Sequence, residues 1–418
     1  NDNAGNVGIG EATLYTNTTG DYNIGIGLGA LQNSNSDDNI AIGSHSLSAD
    51  TLGSKSVAIG QAALGDQNFT TATDSHNTAV GHLAGSGITT GVQNTFLGSR
   101  AGDALQDADF NVAIGFEALT TDTLGSKSVA VGTFALKDQS STTAVDQHNT
   151  AVGHGAGQNI TTGIKNVVVG SQVASAQTTG FNNIAIGYEA LNTNTVSGAH
   201  VAIGYEALNT FNTTSNSSQF NVAVGTQAGK LLQTGTYNTF LGPQAGFNVT
   251  TGSKNTIIGQ FDGNNHSLDI RTASNYIVLS DGDGRPWAHT TGSGSGVWKF
   301  IGEGATAEGI TGHYHEFGHD NNDTQMMIMK EHHGSFASVL LDLRCARSAS
   351  TAYDFLQGRS SGTSDTEFRV RGDGAVTSDN GFDGSGADYA EYFEWADGNS
   401  DSQDRTGYTV VLDGEKIK

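Results

Sequence analysis

Fifteen times between residues 6 and 259 the chain writes Asn, Ser or His, then two residues, then Ile, Val or Leu, then Gly. The units begin at Asn6, Asn23, Asn39, Ser56, Asn77, Asn94, Asn111, Ser128, Asn149, Asn166, Asn183, His200, Asn221, Asn238 and Asn255. Most steps are 17 residues; one is 16, and those after Ser56, Ser128 and His200 are 21. Three steps of 17 and one of 21 make 72, the distance at which longer stretches recur. NTAVGHLAG (77–85) returns as NTAVGHGAG (149–157), and TLGSKSVAIG (51–60) as TLGSKSVAVG (123–132). A block of four units has been duplicated, and short periods of this kind belong to stacked architectures.

The unit NIAIGYEAL (183–191) shows what is stacked. On a strand Ile184 and Ile186 share one face and Ala185 takes the other. Gly187 ends the run and permits a turn or a close backbone approach. Three residues past the Gly stands Ala190, and this position is Ala in eleven of the fifteen units; the exceptions are Thr13, Ser46, Val173 and Asp262. A constant small residue predicts a crowded site. The remainder of each unit is Asn, Thr, Ser, Asp and Gly, which is turn chemistry. One such unit cannot bury a core, whereas units whose strands pair with their copies can. The spacing therefore predicts an all-β fold, a parallel β-solenoid, about 70 Å long for fifteen rungs at one strand spacing each. Helical repeats compete poorly, because no unit holds apolar residues at i, i+3, i+4 and i+7 over a long enough stretch.

Among 418 residues there are 58 Gly but only 2 Pro, with no Gly-X-Y period, which excludes collagen. Net charge is −23, which argues against a nucleic-acid groove and against docking by charge on anionic membranes. No apolar run reaches the roughly 20 residues of a membrane span, so no membrane insertion is expected. The one Cys, Cys345, excludes an internal disulfide framework and reads as a buried thiol. Residue 1 is Asn and no signal peptide is visible, so the chain reads as a fragment or a processed product.

SVAIGQAAL (56–64) and NTAVGHLAG resemble the head repeats of YadA-type trimeric adhesins, over residues 6–263. That resemblance implies a left-handed parallel β-roll with three chains side by side, hence a homotrimer. The family's repeat is commonly shorter, so longer turns here would project further from the rod.

The period stops near Gly263, and residues 264–380 read as a β-rich distal module. NYIVLSDGDGRPW (275–287) is a strand, a Gly-Asp turn and a restart. DGDGRP (281–286) has the look of a calcium loop, but Gly292 stands where an EF-hand needs its twelfth-position acid, and a tight turn is the simpler reading. In GHYHEFGH (312–319), His313 and His315 are two apart and point the same way on a strand. On a trimer axis three such pairs would give six imidazoles, a ligand set for a transition metal; a polar surface or a contact between subunits is the other reading. Some phage tail-fibre tips are similar in carrying His-x-His pairs in this role. No other cofactor is indicated. Arg371-Gly372-Asp373 matches an integrin tripeptide but sits in a strand–turn context that reads as structural.

GSGADYAEYFEWADGN (384–399) and DRTGYTVVLDGEKIK (404–418) resemble the start of the intramolecular chaperone, autocleaving domain of phage appendage proteins. The matching positions are Ala387, Asp388, Tyr389, Ala390, Glu391, Phe393, Glu394 and Trp395, then Gly407, Tyr408, Leu412, Asp413 and Gly414. The resemblance places the start of such a domain, incomplete at Lys418, in residues 381–418, after a shaft at 1–263. Taken by themselves, Asp388, Glu391 and Glu394 are either a solvated acidic face or a chemical site. A YadA-like adhesin would end in heptads and a membrane barrel, which this C-terminus does not write. A polysaccharide-degrading tailspike would need paired carboxylates at a groove, and the 42 Asp and Glu form no recurring motif, so no catalytic residues are assigned. The expectation is a virion tail fibre or spike that attaches to a host surface, is joined to other tail or baseplate proteins and meets a receptor, with glycan as the default ligand. Self-cleavage is the only activity implied.

Overall fold

A computed structural model describes residues 5–290, 298–300, 354–361, 365–371, 376–378, 394–395, 412–413 and 416–417. The chain divides into two compact units, Asn1–His315 and Glu316–Lys418. No helix occurs among the described residues, so none is long and apolar enough to cross a membrane.

The first unit is a parallel β-solenoid built on the period read from the sequence. Each motif supplies a three-residue strand, and each strand pairs in parallel with the equivalent residues of the next unit. Ile184, Ala185 and Ile186 stand opposite Val201, Ala202 and Ile203, one rung above another. The middle residue turns inward: Ala41, Ala58, Ala113, Ala185 and Ala202 are wholly buried, while the two flanking residues face out. Gly187 closes the strand at φ +132°, a region open essentially to glycine. Past this turn Ala190 and Leu191 return to the interior and complete the core. The crowding predicted for the constant Ala is thus present.

Size is traded inside the coil. A Cβ on Gly8, at the middle strand position, would lie 3.5 Å from Leu14 Cδ1, so the middle residue faces the residue four beyond the motif glycine. Where the middle residue is Ala, that fourth position is commonly Leu, as at Leu47, Leu64, Leu119 and Leu191. Where the middle residue is Phe, it is Gly: the Phe96 ring lies directly over Gly85 and Gly102, and the Phe240 ring over Gly229 and Gly246. Volume is conserved across the coil, as close packing demands.

The opening Asn of the motif forms a buried ladder. Asn166 Oδ1 accepts from the backbone N–H of Asn183 at 3.0 Å, and Asn183 Oδ1 accepts from that of His200 at 3.0 Å. Asn183 Nδ2 donates to the Ser197 carbonyl at 3.1 Å. An aliphatic residue here would leave a buried backbone N–H without its partner, a cost of about 1–3 kcal/mol. This explains why a polar residue recurs at the start of an otherwise apolar strand.

The ladder runs one rung beyond the fifteen motifs. Ile277, Val278 and Leu279 pair in parallel with Thr256, Ile257 and Ile258. Tyr276 takes the Asn position, its N–H bonded to Asn255 Oδ1 at 2.9 Å, and Ser280 takes the Gly position. The sheet then turns back antiparallel through Pro286–Thr290 and Trp298–Phe300. Asp281 makes the reversal: its carboxylate accepts from Asp283 N–H (3.0 Å), Arg285 N–H (2.9 Å) and Trp287 Nε1–H (3.0 Å). DGDGRP is a tight turn.

The three 21-residue steps carry their extra residues at the same place on the coil. Short parallel pairs form there between Gly53–Ser54 and Thr73–Asp74, and between Gly125–Ser126 and Val145–Asp146, with a bridge from Gly198 to Ser218 in the third. Their tips, residues 70–72, 142–146 and 214–217, are exposed. Lys55–Asp74 and Lys127–Asp146, both at 2.6 Å, tie the first two at their bases. Such exposed pairs add little stability.

Candidate subunit interface

Turning a small residue inward leaves the larger ones outside. The third strand position, from Ile9 through Ile186 and Leu241 to Leu279, is Ile, Val or Leu in all sixteen rungs, and it faces outward. Several of these side chains are nearly half exposed: Leu97 48%, Leu241 45% and Ile258 43%. The first position adds Val, Ile and, in five rungs, Thr (Thr78, Thr95, Thr150, Thr239, Thr256). Sixteen rungs at one strand spacing make this stripe about 72 Å long. Two side chains wide, it covers roughly 500 Å², in the range of the largest apolar patch on a typical monomer. An exposed apolar sheet face of this kind is what a sheet packs against another sheet.

Inside the coil lie two buried polar clusters related by the 72-residue repeat. Asp50 accepts from Gly53 N–H (2.9 Å), Gln67 Nε2 (2.6 Å) and Phe69 N–H (3.3 Å); Gln67 also reaches Ser56 Oγ (3.1 Å) and accepts from Asn77 Nδ2 (2.9 Å). Asp122, Ser128, Gln139 and Asn149 repeat the arrangement, with Gln139 Nε2 on Asp122 at 2.6 Å. Burial pushes the Asp50 carboxyl above its ordinary range, against the opposing hydrogen bonds from Gln67 and the backbone.

The third copy is different. Asn194, His200 and Phe211 stand where Asp, Ser and Gln stand in the other two. His200 packs its ring edge against Phe211 at 4.5 Å, and its Nε2 lies 3.1 Å from Ser197 Oγ, which donates to Asn194 Oδ1 at 2.5 Å. Its Nδ1 is buried without a partner. Nε2 therefore carries the proton of a neutral ring. Desolvation lowers the His200 pKa to about 3.

Among the described residues no three His, Cys, Asp or Glu side chains are grouped to hold a metal ion. His313, His315 and Cys345 lie outside the described residues, as do Asp388, Tyr389, Ala390, Glu391, Phe393, Gly407, Tyr408 and Gly414. Of Arg371-Gly372-Asp373 only Arg371 is described, at the end of the strand Asp365–Arg371. The C-terminal motif is brought together in part. Glu394–Trp395 pairs in parallel with Lys416–Ile417, and Leu412–Asp413 pairs antiparallel with that same strand. The backbone thus gathers the two halves of the motif into one small sheet. The buried clusters and the outward stripe were not singled out from the sequence; the 72-residue spacing of Asp50 and Asp122, and of Gln67 and Gln139, was the signal available.

Residues 349–418 match the model of the family Peptidase_G2, IMC autoproteolytic cleavage domain. The match begins upstream of the Ala387–Trp395 motif and takes in the antiparallel strands Asp354–Ser361, Asp365–Arg371 and Val376–Ser378. Neither a curated protein nor a solved structure matches the chain.

Proposed function

We propose that the chain is the shaft and distal part of a trimeric phage tail fibre or spike that attaches the virion to a host surface. The observation that carries this reading is the match of residues 349–418 to an autoproteolytic chaperone domain, in a chain whose other unit is a long β-solenoid. A rod of near-identical rungs offers neighbouring chains many equivalent alignments, so register needs a device at one end. A C-terminal domain that trimerises first sets register and then becomes dispensable, because the finished shaft is held kinetically. The domain acts on its own chain and is not an enzyme in the ordinary sense. Other tail or baseplate proteins are the expected attachment partners.

The apolar stripe is the face on which three shafts meet. Light scattering of native protein is expected to give about three times 43.2 kDa. Ile186→Asp with Leu241→Asp puts two charges on the stripe without touching the core, and is expected to give monomers whose β-sheet circular dichroism is unchanged. A stable monomer of the parent at micromolar concentration overturns the trimer.

Mass spectrometry of the complete gene product is expected to find two pieces, cut within or beyond residues 349–418. A single uncut mass from correctly assembled fibres removes the self-cleaving role.

A further inference from the structure

One corner of the coil, the position directly after each motif glycine, carries aromatic rings that the fold does not require. In most rungs this position is small or polar, as at Ser44, Ser99, Thr133, Ser171 and Thr226. At Tyr188 and Tyr205 it is a ring on two successive rungs. The rings stack at 5.8 Å with an interplanar angle of 11°, and the two residues are 44% and 47% exposed. One rung before Tyr188 the equivalent residue is Ser171, so the outer face of the Tyr188 ring has only a small neighbour on that side.

Hydrogen-bonding groups sit beside the rings in fixed positions. The Tyr188 hydroxyl donates to Gln172 Oε1 at 3.4 Å. Glu189 receives Asn209 Nδ2 at 3.5 Å, and Glu206 Oε2 holds Gln227 Nε2 at 2.8 Å and Lys230 Nζ at 2.6 Å. Glu206 Oε1 lies outside those contacts, and Glu189 also meets the Tyr188 hydroxyl. Burial pushes the Glu206 carboxyl up, but Gln227 and Lys230 outweigh it and hold the group below its ordinary range. It is an acceptor at neutral pH and cannot serve as a general acid.

We infer that this corner, from Gln172 to Glu206, is a binding subsite for a neutral polysaccharide; the inference rests on the adhesive reading above. A pyranose ring presents a face of C–H bonds, which the electron-rich face of an exposed Tyr attracts, and a rim of hydroxyl donors, which carboxylate and amide oxygens accept. Rungs repeat along a straight edge, as do the sugars of a linear chain. Glu189 and Glu206, within a net charge of −23, repel sulfated, phosphorylated or uronic sugars. Glu206, held ionised by Gln227 and Lys230, accepts hydrogen bonds there and does not donate a proton, which fits a subsite that binds rather than cuts.

The test uses the assembled 418-residue protein, with malto-, cello- and chitohexaose as probes in saturation-transfer NMR. Transfer to at least one hexaose is expected, with at least tenfold weaker binding in Tyr188→Ser with Tyr205→Ser. Ser is what other rungs carry at this position, so the coil tolerates it. Transfer to none of the three, or equal affinity in parent and variant, overturns the subsite. Blocking of phage adsorption by added protein is scored in parallel. Equal blocking by parent and variant overturns the subsite and leaves the adhesive reading standing, whereas a parent that blocks nothing overturns the adhesive reading itself.

Discussion

Gly187→Val is expected to destabilise the solenoid by about 3–5 kcal/mol, and Gly187→Ala by most of that amount. Two costs coincide at this residue. Its φ of +132° is one that a side chain strains. An added Cβ would also collide with the backbone carbonyl of Gly204, the same glycine one rung on. No rotamer relieves a clash with backbone, and the rung cannot retreat because its own neighbour holds it in the ladder from the other side. Gly170 and Gly204, at φ +136° and +135°, face the same contact one rung further along, so the effect belongs to the position and not to one locality. Gly282 is the control, because a Cβ there meets nothing within 4 Å. Gly282→Ala should melt with the parent. Denaturant titrations in which Gly187→Ala also overlays the parent would show that the motif glycine is not the tight passage between rungs.

That glycine illustrates what the sequence discloses and what it conceals. A recurring Gly after Ile184-Ala185-Ile186 announced a turn or a close approach, and the 17-residue period announced parallel stacking; both stand in the structure. Period-two alternation placed Ile184 and Ile186 on one face but was silent on which face is inside. The answer, Ala185 inside and the two Ile outside, follows from a neighbour six positions on, because Leu191 fills the space that Ala185 leaves. Packing across a coil is non-local, and a single unit does not show it. The sixteenth rung was hidden for a simpler reason: Tyr276 replaces Asn and Ser280 replaces Gly, while the backbone bond to Asn255 Oδ1 needs only an N–H. The buried Asp50–Gln67 pair is separated by 17 residues and reads in sequence as two solvated polar positions. Burial turns it into a cluster, and burial is not written at either residue.

Acid is expected to weaken the parent shaft more than a His200→Asn variant, and the difference should grow as pH falls from about 6.5 to about 3. In the folded chain His200 is neutral, enclosed by Phe211 and Ser197, and holds that state down to about pH 3. In the unfolded chain it takes up a proton near 6.5. Between those values the unfolded state binds the extra proton, so stability present above pH 6.5 is lost on the way down. The full loss is roughly 5 kcal/mol per chain, at 1.36 kcal/mol for each pH unit. Asp50 works in the opposite direction, since its raised pKa gives a contribution that fades as pH rises above the ordinary Asp range. It is present in parent and variant alike, so it cancels in the comparison. Asn is the substitution of choice because it opens most other rungs and would offer its Oδ1 to the backbone of Asn221, as Asn183 offers its own to the backbone of His200. Its smaller volume beside Phe211 costs packing at every pH, and for that reason the slope and not the absolute stability is the readout. Denaturation midpoints measured from pH 7.5 to 3.5 should diverge between the two proteins, with the parent falling faster. Parallel profiles would mean that the His200 ring gains a proton in the folded shaft as readily as in the unfolded chain, and that the contact with Phe211 does not exclude water from Nδ1.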